Sequence, residues 1–87
     1  MKDNQNKYLD KVVEFLVRDT KIDYDQKRIQ YPFFPSSHFP ISSIYPLLLL
    51  SPFSNYCKNV YGLTEQEIEY VWDQYRTIII DKIENGK

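Results

Sequence analysis

His38 and Cys57 are the only histidine and the only cysteine in the chain. They are the side chains that would most readily serve as general base and nucleophile near neutral pH. Such a pair must lie within hydrogen-bond reach, with a third group orienting the imidazole. Here the two are joined by an irregular, proline-punctuated stretch, so no helical or strand spacing brings them together. Cys57 reads instead as a small buried apolar residue, as free cysteines commonly are. His38 reads as a loop residue satisfied by backbone or water.

Glu65, Glu69 and Asp73 recur every four residues, which puts them on one face of a helix. Carboxylates so placed could share a divalent cation or divide acid and base roles. A hard cation needs several oxygens converging from different directions, and the first helical segment has no matching acidic motif. A solvated face is the simpler reading, since acids favour the positive end of their own helix. No Gly-rich phosphate loop, metal-ligand cluster, nucleophile elbow or kinase signature occurs. The residues therefore point to a non-enzymatic protein with no metal, no cofactor and no small-molecule substrate.

These side chains must be positioned by elements that stand out along the chain. Tyr8, Leu9, Val12, Val13, Leu16 and Val17 recur as adjacent pairs four apart, predicting an amphipathic helix over about 6–19. Asp3, Asn4 and Asn6 are its candidate caps. Lys7, Lys11, Glu14 and Arg18 fall on the other side, with Glu14 and Arg18 spaced for an i,i+4 pair. Alternation of Ile22 with Tyr24 and of Ile29 with Tyr31 predicts a small β-hairpin over about 21–31, closed by a four-residue loop.

The five prolines, Pro32, Pro35, Pro40, Pro46 and Pro52, recur too closely for any long helix. The segment 32–53 therefore reads as an irregular arm. A short helix over about 54–61 ends at Gly62, which can close it in the left-handed conformation. Thr64 and Glu67 have capping-box spacing, with Leu63 and Ile68 as a hydrophobic staple. They open a long helix over about 65–84, whose apolar stripe is Ile68, Val71, Trp72, Tyr75, Ile78, Ile79 and Ile83. The fold class expected is mainly α, as one small domain spanning 1–87.

Length and charge bound the partners. Eighty-seven residues bury only ~60–65% of the surface of the unfolded chain, which leaves a few kcal/mol of stability and makes association advantageous. A net charge of −1 sets up no field to attract nucleic acid or anionic lipid. A single cysteine and the lack of a secretory signal predict an intracellular, cytoplasmic setting. The longest apolar run, Leu47 to Leu50, is far short of the ~20 residues that span a bilayer. The chain has no alanine and is rich in Lys, Asn, Ile, Tyr and Phe, a composition that AT-rich genomes produce, those of viruses and phages among them.

Every charged residue lies in 1–28 or 58–87, which leaves 29–57 without formal charge. Seven of the fourteen aromatics fall in that window. Uncharged surface rich in aromatics and Leu resembles the centre of a protein interface, and proline lowers the entropy lost when it is fixed. This predicts a protein-interaction module or small accessory subunit, docking a protein partner or a second copy through Phe33, Phe34, Phe39, Tyr45, Leu48 and Phe53. The competing use of the arm is to cover the chain's own core. A second functional reading takes 54–84 as a helix-turn-helix that binds DNA, with Lys27, Arg28, Lys58 and Arg76 forming a basic face. Glu65, Glu67 and Glu69 at the start of its recognition helix oppose that reading, because they would face phosphates.

Overall fold

The computed structural model describes residues 2–34, 38–43 and 50–86. Its first element, α1, runs Lys2–Asp19. It begins ahead of Asp3, Asn4 and Asn6, so none of the three is its N-cap. Leu9, Val12, Val13 and Leu16 are buried and Val17 packs against them, as the period-four pairs require. Tyr8 is the exception to that stripe and stays exposed. At the end of the helix the Thr20 amide and hydroxyl both bond the Leu16 carbonyl, at 3.1 and 2.8 Å, which terminates it and turns the chain into the sheet.

The hairpin expected over 21–31 is present as β1 (Lys21–Asp23) and β2 (Arg28–Gln30). They are antiparallel, with Ile22 opposite Ile29. The connection is the four-residue loop 24–27. Its geometry is set by the Asp23 carboxylate, which accepts from the Gln26 amide at 3.1 Å, and by a left-handed Lys27 with φ 56°. A third strand, β3 (Phe39–Pro40), pairs with β2 and sets Phe39 opposite Ile29. A turn of 3-10 helix follows at Ile41–Ser43.

The segment 32–53 is thus more regular than its prolines suggest. Pro40 sits on an edge strand, where a missing donor costs nothing. The second helix, α2 (Leu50–Tyr56), starts four residues ahead of the expected boundary. Pro52 is the third residue of this span, and proline is tolerated in the first turn of a helix. The chain then widens into a π-helical turn, Cys57–Tyr61, closed by Gly62 at φ 66°.

The last element, α3 (Glu65–Asn85), opens with the full capping box. The Glu67 amide donates to Thr64 Oγ1 at 3.3 Å, and the Thr64 amide donates to Glu67 Oε1 at 2.8 Å. Leu63 and Ile68 are both buried, as a staple requires. The molecule is mainly helical with a small three-stranded antiparallel sheet.

Contacts between the two long helices and their extensions rise together along the chain. Asp10 meets Tyr70, Thr20 meets Tyr75, and Tyr24 meets Lys82. The helices therefore lie side by side in the same direction, and the middle of the chain must carry it back to the end where α1 began. One hydrophobic cluster joins α1, the sheet, α2 and α3, with Ile29, Tyr31, Phe53, Cys57, Val71, Tyr75 and Ile79 at its fully buried centre.

Candidate functional site

The structure gives the residues singled out for interaction different fates. Phe53 is fully buried, its ring 4.8 Å from Trp72 and 5.4 Å from both Phe33 and Tyr75, centroid to centroid. Phe33 is buried as well, stacked on Tyr31 at 5.2 Å. Phe34 and Phe39 are half-buried against the same cluster, 5.5 Å apart. Tyr45 and Leu48 lie outside the described residues. In this fold Phe33 and Phe53 are core residues, their rings packed on each other and on Tyr75 of α3.

The sequence-selected chemistry is not assembled. His38 is exposed ahead of β3, whereas Cys57 is fully buried. Burial pushes the Cys57 thiol up to about 12, which keeps it protonated and unreactive at neutral pH. Glu65 and Glu69 stand with Ile68 and the exposed Leu50 around a shallow pocket of about 250 Å3 at the α2–α3 corner. Asp73 is not among them and pairs with Arg76 at 3.2 Å. Among the described residues no group of three His, Cys, Asp or Glu side chains could hold a metal ion, and no helix is long and apolar enough to cross a membrane.

Periodicity alone overlooked Phe15. It lies one heptad after Tyr8, and that interval returns nearly to the same angle on a helix. Tyr8 is 48% and Phe15 39% exposed. The Tyr8 hydroxyl donates to the Tyr61 carbonyl at 3.2 Å, which joins this face of α1 to the π-helical turn, where Val60 is 55% exposed. Burial, then the neighbouring Tyr56, Asp19, Cys57 and Tyr8, raise the Tyr61 phenol above its ordinary value.

Arg18 stacks over Phe15 at 5.0 Å from the ring centroid and bonds Asp19 at 3.2 Å. It does so in place of the i,i+4 pair with Glu14 that spacing suggested. Lys7 and Lys11 are exposed on the same side of α1, and Lys58 is exposed on the π-helical turn. The result is an exposed aromatic pair on α1 with charges of both signs beside it, legible in the Tyr8–Phe15 interval but hidden by the stronger core stripe.

A second apolar feature is the groove of about 450 Å3 along α1 and α3, with Val13, Val17 and Ile78 on its floor. Asp10, one of its lining residues, accepts from Tyr70 at 2.7 Å, which clasps the two helices together. No known protein family matches the chain, and neither the curated proteins nor the solved structures compared with it contain a match.

Proposed function

We propose that this protein is a non-enzymatic protein-interaction module, a small accessory or structural subunit, and that it docks through the aromatic face of α1 rather than through the Pro/aromatic arm. The observation carrying the reading is that Tyr8, Phe15 and Val60 remain exposed, with Tyr8 and Phe15 on one face of α1. Exposed apolar side chains that cluster and are rimmed by charge mark interaction sites, whereas scattered ones are ordinary. Aromatic residues and Arg are also the types that carry most binding energy when desolvated. The arm's Phe33 and Phe53 could reach a partner only by leaving the core.

Selection of binders from a random peptide library against the immobilised chain tests this, alongside light scattering of the chain alone. The reading expects either an enriched consensus whose affinity falls at least tenfold on Phe15→Ala, or association of the chain with itself. A strict monomer that enriches no consensus overturns it. So does binding that Phe15→Ala and Tyr8→Ala leave unchanged.

A further inference from the structure

We infer that one partner of this chain is a second copy of itself, bound head to tail, with the aromatic knob of α1 seated at the acid-rimmed pocket of the α2–α3 corner. The inference rests on the interaction reading above and names the occupant of its surface. Two features on different parts of the fold are complementary in shape and charge.

The knob is the exposed Phe15 and Tyr8 of α1, with Arg18 over the Phe15 ring, Lys7 and Lys11 exposed on the same helix, and Lys58 exposed on the π-helical turn that Tyr8 bonds. Its acids are Asp10 and Glu14, which line the α1–α3 groove together with Arg18, and Asp19, which Arg18 engages. The pocket is concave and of opposite sign. Leu50, 47% exposed, and Ile68 supply apolar walls, and Glu65 and Glu69 supply the rim. Its volume of about 250 Å3 suits a side chain rather than a free ligand of ordinary size.

Cations around an aromatic and acids around an apolar hollow favour their union over pairing of like faces, which would bring charges of one sign together. Among the described residues no ion pair engages Lys7, Lys11, Glu65 or Glu69 within one chain. Because the two faces differ, the contact is heterologous, and each added copy leaves one knob and one pocket open unless the assembly closes into a ring.

Charge exchange between the faces decides the matter. Sedimentation velocity of the unaltered chain over a range up to about 1 mM, a dissociation constant at the weak end of specific binding, should show association that weakens at least tenfold as salt rises from about 50 to about 500 mM. Lys7→Glu with Lys11→Glu, and separately Glu65→Lys with Glu69→Lys, should each be monomeric, because knob and pocket then carry the same sign. An equimolar mixture of the two variants should associate again. Phe15→Ala placed in both variants should abolish that recovery, whereas placed in one it leaves the other's knob to bind.

Circular dichroism confirms that each variant is folded, and Glu65→Gln with Glu69→Gln serves in place of the lysine pair if that one is not. A monomeric unaltered chain overturns the inference, as does a mixture of folded variants that fails to associate. A mixture indifferent to Phe15→Ala in both variants also overturns it, since bulk charge alone would then explain the attraction. The interaction reading survives any of these if library peptides still bind the Phe15 face.

Discussion

At the scale of single residues a chain of polar groups in the core links Leu16, Thr20 and Tyr75. Thr20 spends its only hydroxyl proton on the Leu16 carbonyl, so the 2.6 Å contact between Thr20 Oγ1 and Tyr75 is made by the tyrosine donating. Among the described residues the buried Tyr31 hydroxyl has no partner. A satisfied buried hydrogen bond contributes about 1 kcal/mol, and an unsatisfied group forfeits its hydration. Tyr75→Phe should therefore lower unfolding free energy by about 1 kcal/mol in urea titrations. Tyr31→Phe should leave it unchanged or raise it, and a loss as large as that of Tyr75→Phe would show that the phenol has an acceptor.

Cys57 provides a pH test. Its thiol is raised by burial to about 12, so the folded state favours the protonated form. That contribution is complete below the ordinary thiol range near ~8.5–9 and is lost as pH climbs toward the folded value. Burial raises Tyr31 and Tyr75 in the same sense, from their ordinary value of 10.0. Stability should be insensitive to these groups between about pH 6 and 8 and fall above about 9. Cys57→Ala should delay the onset of that fall toward the tyrosine range. An unaltered onset would mean that the thiol ionises freely.

At the scale of elements, the joint between α2 and α3 concentrates two helix ends in three residues. Gly62 is left-handed at φ 66°, and a Cβ there would meet nothing within 4 Å. The penalty for a side chain is thus one of backbone conformation and not of collision. Gly62→Val should cost about 1–2 kcal/mol, and Gly62→Ala nearly as much. Thr64→Ala removes the acceptor of the Glu67 amide and should cost about 1 kcal/mol. Thermal melts compare these with His38→Ala, an exposed loop change expected within about 0.5 kcal/mol of the parent. Greater sensitivity at His38 than at Thr64 would overturn this account of the joint.

At the scale of the whole molecule, two long helices running in the same direction cannot be joined by a short turn. The sheet, the arm and α2 make the return, and in doing so they close the core over Phe53, whose ring lies near Phe33, Trp72 and Tyr75. Truncating a fully buried ring costs about 3–5 kcal/mol, close to the total available to a chain of this size. Phe53→Ala should therefore unfold most of the population at 37 °C. Phe15→Ala, on the exposed face, should move the melting temperature little. Far-ultraviolet circular dichroism of the two variants separates core from surface among the phenylalanines, and a folded Phe53→Ala would mean that the arm is dispensable cover.

What the amino-acid sequence by itself determined about this protein is local. The period of Leu9 to Leu16 made α1, the Thr64–Glu67 box and Gly62 set the start of α3 and the end of the turn before it, and the Ile22–Tyr24 and Ile29–Tyr31 alternation made the hairpin. Each signal lies within a few residues of what it controls, because caps, turns and amphipathic periods act through neighbours along the chain. Only the tertiary structure decided which way the arm's aromatics face, that Phe39 adds a strand to the hairpin, and that Tyr8 leaves the stripe to join Phe15 at the surface. Those outcomes depend on contacts such as Phe33 with Tyr75 and Tyr8 with Tyr61, between residues forty or more apart. Phe33 and Phe15 are equally apolar, and what separates a core ring from an exposed one is which distant surface arrives to cover it.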